Sequence, residues 1–166
     1  MDDFRNNNPE VIWPEWTLVR CIGRGSFGVV YEMERKDHSV ESHAAVKVIS
    51  VPQDDSEIWS LRSEGMTDES IRAYFKNQVD DFLSEIRLME SFKGTQNIVS
   101  VEDYKIIENG LGWIIYIRME MLTPFVTWLG GRTMSEEEVI QLGLNMCSAL
   151  ELCSQRNVVH RDIKHD

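Results

Sequence analysis

The chain has 166 residues, 42% of them hydrophobic, with 28 acidic against 17 basic side chains and a net charge of −11. That size and composition fit one globular domain, or a domain and part of another. The acidic balance argues against a nucleic-acid-binding surface, and no run approaches the ~18 consecutive apolar residues of a membrane-spanning helix.

In chain order, "MDDFRNNNPE" is polar and acidic, unlike a signal peptide, and residues 1–10 read as a loosely attached tail. "WTLVRCIGRGSFGVVYEMER" reads as two strands around a glycine-rich turn, and "HAAVKVIS" as a third, rich in β-branched residues. Pro52 and Gly65 punctuate an acidic stretch in which a short helix starts near Asp54 or Asp55. A long helix follows over roughly 68–93. Ile71, Phe75, Gln78, Phe82, Ile86 and Met89 step by three or four along one face of it, and Gly94 stops it. "NIVSVEDYKIIE" and "GWIIYIRMEML" form an antiparallel pair turning at Asn109-Gly110. Ser135 and Glu138 have the spacing of a capping box at the start of a second long helix. Five antiparallel strands interrupted by one long helix, then a mainly helical segment, make an α+β pattern.

Cys21, Cys147 and Cys153 are odd in number and form no Cys-x-x-Cys pair. They argue against a disulfide framework or a cysteine zinc site and fit a reduced, cytoplasmic compartment.

Four constellations carry chemistry. Gly23, Gly25 and Gly28 give Gly-x-Gly-x-x-Gly in "GRGSFGVV". Without Cβ atoms the backbone can approach phosphate oxygens, although a flexible hairpin would read the same way. A strand, not a helix, follows, which separates it from a dinucleotide fold. Lys47 sits in the strand "AAVKVI" and would point under that loop; a surface lysine on an edge strand is the plain alternative. Glu85 shares the long helix's face with apolar residues. It is either buried with a partner, for which Lys47 is suitable, or a boundary residue at the edge of the stripe. Near the end, "HRDIK" packs His160, Arg161, Asp162 and Lys164 into five residues, a composition suited to acid–base and phosphate chemistry.

Together and in this order, the four motifs resemble the eukaryotic-type (Hanks-type) Ser/Thr protein kinases over residues ~16–166. The resemblance implies a tail (1–15), a small lobe (16–122) of five strands and one long helix, and a hinge exit with the start of a helical lobe (123–166). It implies an ATP site in which Gly23, Gly25, Ser26, Phe27 and Gly28 cover the phosphates, with Phe27 at the tip of the loop. Val30 and Ala45 would sandwich the adenine. Lys47 would bind the α- and β-phosphates and pair with Glu85. Met119 falls at the gatekeeper position, and the Glu120 carbonyl and Leu122 N–H would bond the adenine. Asp162 would be the catalytic base and Lys164 would neutralise charge on the transferring phosphate, as in Ser/Thr kinases. His160, with Met89 and Val101, matches a hydrophobic column linking the lobes.

The partners implied are ATP, Mg2+ and a protein substrate offering Ser or Thr, with neither nucleic acid nor a membrane segment. Two departures stand out: His165 replaces the family's usual Pro, and the insertion after Val51 lengthens the Lys47–Glu85 spacing. The pattern places the family's metal-binding Asn at 167, so the expectation is a truncated kinase, inactive by itself. An ATP-binding pseudokinase and a small-lobe interaction protein are the alternatives.

Overall fold

The computed structural model describes residues 8–25, 28–159 and 163. Two compact units emerge: residues 1–93 with 100–121, and residues 94–99 with 122–166.

The first unit is built on a five-stranded antiparallel sheet in the order β1-β2-β3-β5-β4. Its strands are β1 (Thr17–Gly25), β2 (Gly28–Asp37), β3 (Val40–Val51), β4 (Val101–Asn109) and β5 (Gly112–Glu120). Two helices, α1 (Asp55–Ser63) and α2 (Asp68–Ser91), lie between β3 and β4. Their starts follow from capping: the Asp54 carboxylate accepts from the Ser56 N–H, and the Thr67 hydroxyl from the Ser70 N–H.

Alternation along β3 and β5 divides the core in two. Ile49, Val51, Trp113, Ile115 and Ile117 face one way and pack with Ile71, Phe75, Val79 and Ile86 of α2. Val46, Val48, Ile114 and Tyr116 face the other way and pack with Tyr31, Met33, Trp13 and Trp16. Both faces of the central strands are therefore buried, which explains the continuous apolar run "WIIYI".

From residue 8 on, the second cluster departs from the expectation of a loose N-terminal tail; residues 1–7 of that tail lie outside the described residues. Pro9–Val11 form a 3-10 turn, and Glu10 Oε1 accepts from the Leu18 N–H at 2.7 Å. Trp13 and Trp16 are each only 5% exposed. The Arg118 guanidinium stands 5.4 Å from the Trp13 ring and 4.9 Å from the Trp16 ring, and Trp13 Nε1 donates to Asp103 Oδ2 at 2.7 Å. The segment is a lid on the outer sheet face, because two indoles this large lose most when left in water.

In the second unit, α3 (Phe125–Leu129) was not anticipated from the sequence; it follows Pro124 and stops at left-handed Gly130. The capping box of α4 (Glu136–Gln155) is present in full, with both Ser135–Glu138 hydrogen bonds made. The helix is apolar over much of its circumference, and Val139, Ile140 and Leu144 are more than half exposed.

Candidate functional site

The sheet register assembles most of the sequence-predicted residues. Gly23 stands opposite Val30, Val30 opposite Lys47, and Lys47 opposite Ile117. Residues directly opposed across antiparallel strands project to the same face. Ile117 belongs to the cluster that packs on α2, so Lys47 and Val30 lie on that face too. Two residues along, Ala45 stands opposite Met119, and Met119 opposite Val101. Ala45 and Val101 are buried; Val30, Lys47 and Met119 are half-buried. The result is one strip in which an apolar pair precedes a lysine that adjoins the glycine hairpin.

The three glycines do different work. A Cβ on Gly25 would meet nothing within 4 Å, and one on Gly23 only the Val30 Cβ at 3.9 Å. Both leave open space along the hairpin. Gly28 is fixed by packing: its φ is +124°, and a Cβ there would overlap the Val48 carbonyl oxygen and lie 3.1 Å from the Val48 carbonyl carbon. A hollow of about 310 Å³ beside the hairpin, lined by Tyr31, Val48 and Ser50, lies on the opposite face from Lys47.

At the far end of the strip, Glu120 is held from both sides of its residue. Its N–H donates to the Ser100 carbonyl at 3.1 Å, and its Oε1 accepts from the Ser100 N–H at 2.7 Å. This hold was not legible in the sequence, where Ser100 carries no motif. Leu122, two residues on, is exposed and belongs to the second unit.

Glu85 is not brought to Lys47. Among the described residues no ion pair joins the two, and the Glu85 side chain is exposed in a shallow hollow with Gln78, Asp81 and Phe82. Of the two readings of this carboxylate, the structure has the boundary residue. Met89 packs against the hydrophobic cluster that contains Val101. Ser26, Phe27, His160, Asp162 and Lys164 lie outside the described residues.

The family model for the protein kinase domain matches residues 16–166. The chain belongs to the protein kinase family. Relatives include the serine/threonine-protein kinase PknK of Mycobacterium tuberculosis (strain ATCC 25618 / H37Rv), 27% identical over 148 residues, 88% of this chain and 11% of the relative. The serine/threonine-protein kinase Pkn1 of Myxococcus xanthus is 29% identical over 151 residues, 90% of this chain and 18% of the relative. The chain thus spans less than a fifth of the curated relatives it matches. Within the kinase family's small lobe, five strands and the long helix α2 stand where the resemblance placed them. No helix among the described residues is long and apolar enough to cross a membrane.

Proposed function

We propose that this chain binds ATP along the Lys47 face of its sheet and forms the nucleotide-binding part of a protein serine/threonine kinase. The cross-strand row Gly23–Val30–Lys47 carries this reading. The residues present fit the nucleotide: the backbone at Gly23 and Gly25 is unobstructed, a cation stands two strands away, and Ala45 and Met119 form an apolar pair beyond it. The names of the two relatives support Ser or Thr as the acceptor.

ATP, when bound, supplies the phosphoryl group that an acceptor hydroxyl takes up, with Mg2+ as the family's usual companion of its phosphates. The chain's own part is positioning and charge. The glycine hairpin offers backbone N–H groups to phosphate oxygens, and Lys47 offsets their negative charge. Val30 and Ala45 flank the adenine, while Met119 and Glu120 border it at the strand end. Asp162 holds the acceptor hydroxyl and takes its proton; Lys164 offsets charge on the phosphoryl oxygens. No described residue is assigned to Mg2+.

The test is a pair of variants. Lys47→Met should weaken binding of a fluorescent ATP analogue at least ~10-fold, the loss of one charge-assisted contact of about 1.5–3 kcal/mol. Asp162→Asn should leave binding unchanged and, in the longest form of the protein that transfers phosphate, lower turnover on a Ser/Thr peptide by ~10²–10⁴. Unaltered binding by Lys47→Met refutes the site. Nucleotide binding with no transfer by any form of the protein favours the pseudokinase reading.

A further inference from the structure

Near the β2–β3 turn, Glu32, Glu34, Glu41 and His43 project from one face of the hairpin. Glu34 stands opposite His43 in the ladder, Glu41 precedes His43 by two residues, and Glu32 precedes Glu34 by two. The nucleotide site uses none of them.

Ligand atoms of Glu34, Glu41 and His43 all lie within 4.8 Å of one another. What distinguishes the group from carboxylates on an exposed edge is its imidazole, which is engaged at both nitrogens. His43 Nδ1 is 3.1 Å from Glu32 Oε1, and Nε2 is 3.4 Å from Glu41 Oε1. Glu32 is itself held: its other oxygen accepts from Arg20 Nε at 2.7 Å, and its side chain is only 12% exposed. In the tautomer that donates Nδ1–H to this carboxylate, Nε2 is left as the ligating nitrogen, on the side of Glu41. A carboxylate behind an imidazole, setting its tautomer and ring orientation, is the arrangement that supports metal-ligating histidines.

We propose that His43 Nε2 and the carboxylates of Glu34 and Glu41 form a site for a divalent transition-metal ion of the zinc class, with Glu32 orienting His43. One imidazole and two carboxylates suit Zn2+, Co2+ or Ni2+, whereas Ca2+ and Mg2+ call for oxygen donors alone. Donor atoms sharing a zinc ion stand about 3–3.5 Å apart, given bonds of ~2.0–2.2 Å. The His43–Glu41 pair already has that spacing. Glu34 lies within 4.8 Å of both and has to move closer to share the ion. The cation now between the carboxylates is Lys36, whose ammonium is 3.3 Å from Glu34 Oε1 and 4.0 Å from Glu41 Oε1. A bound metal ion therefore displaces Lys36, and the lysine competes with it.

The experiment is a titration of the 166-residue chain with Co2+, followed by visible absorption, and with Zn2+ by calorimetry. One equivalent should bind, with no thiolate-to-cobalt band. His43→Ala and, separately, Glu41→Gln should each weaken binding at least ~10-fold. Glu32→Gln should weaken it by about 10–100-fold without removing a ligand. Lys36→Ala should tighten it, and His38→Ala should leave it unchanged. The positions are on or near the surface, so thermal melts should show all five variants folded. No saturable binding, a thiolate band, affinity insensitive to His43→Ala, or a loss on His38→Ala would each overturn the site.

Discussion

Substituting alanine for Gly28 and for Gly25 separates folding from nucleotide contact in the same hairpin. At Gly28 the new methyl would overlap the Val48 carbonyl oxygen and approach Ile49 Cα to 3.2 Å, at a φ of +124° that L-residues avoid. Backbone in such a region costs about 1–3 kcal/mol, and forcing a group into a closed space costs a similar amount. The two overlap in origin, so about 3 kcal/mol is a fair expectation. For a domain of this size that lowers the melting temperature by on the order of 10 °C. At Gly25 the methyl meets nothing within 4 Å. Stability should then change by less than about 1 kcal/mol, and an increase is possible because the unfolded chain loses freedom. Nucleotide affinity should nevertheless fall, since the methyl keeps phosphate oxygens from the backbone. The assay is thermal unfolding by circular dichroism beside binding of a fluorescent ATP analogue. A Gly28→Ala protein melting within roughly 2 °C of the parent would refute the close approach of β2 to β3. Equal loss of stability in both variants would refute the division of labour.

Trp16→Ala should destabilise the sheet by about 3–5 kcal/mol, as large-to-small changes in a core do. Trp16→Phe should cost much less, because the Trp16 indole N–H is buried without a described hydrogen-bond partner. Denaturant melts check both, and equal costs would contradict the packing argument. The Leu18 N–H, and next the Asn8 side chain, hold the Glu10 carboxyl below its ordinary pKa of 4.5. The stability it contributes is complete above 4.5 and is lost as pH falls through the lowered folded value. Glu10→Gln should therefore melt below the parent at neutral pH, with the gap closing in acid below 4.5; a gap independent of pH refutes the assignment. Exposed Val139, Ile140, Leu144, Met146 and Leu150 on α4 should make the 166-residue chain bind a hydrophobic dye and self-associate, and Ile140→Glu with Leu144→Glu should reduce both. A dye-silent monomer on size-exclusion chromatography would contradict this.

Much of the fold was legible because local rules and tertiary packing agree. The step of three and four through Ile71, Phe75 and Ile86 marks the face that α2 buries. Ser135 and Glu138 announce the start of α4 through hydrogen bonds that are purely local. The strand row of the site follows from alternation once the Gly25–Gly28 and Asp37–Val40 turns set the two registers. The N-terminal segment was illegible for the opposite reason. "NPEVIWPEW" has polar, proline-broken local character, and the partners of Trp13 and Trp16, from Tyr31 to Tyr116, hold it in place. The signal available was two indoles three residues apart, a costly pair to leave in water. The short α3 had no periodicity to read, because five residues complete little more than one turn.

Glu85 shows how finely a helical face must be known before a site can be read from it. At 100° per residue, the buried positions 71, 75, 79 and 86 span an arc of about 80°. Glu85 falls about 80° from the middle of that arc, on the flank it shares with Gln78. Phe82 and Met89 fall about 20° and 40° from that middle, and spacing from them alone made Glu85 a member of the stripe. Apolar patterning does not separate a position at the edge of the stripe from one just outside it. Strand positions leave a coarser choice: alternation offers two faces 180° apart, so Lys47 and Ala45, two residues apart, share a face whichever it is. That Lys47 and Ala45 share a face was therefore readable, and the orientation of Glu85 on α2 was not.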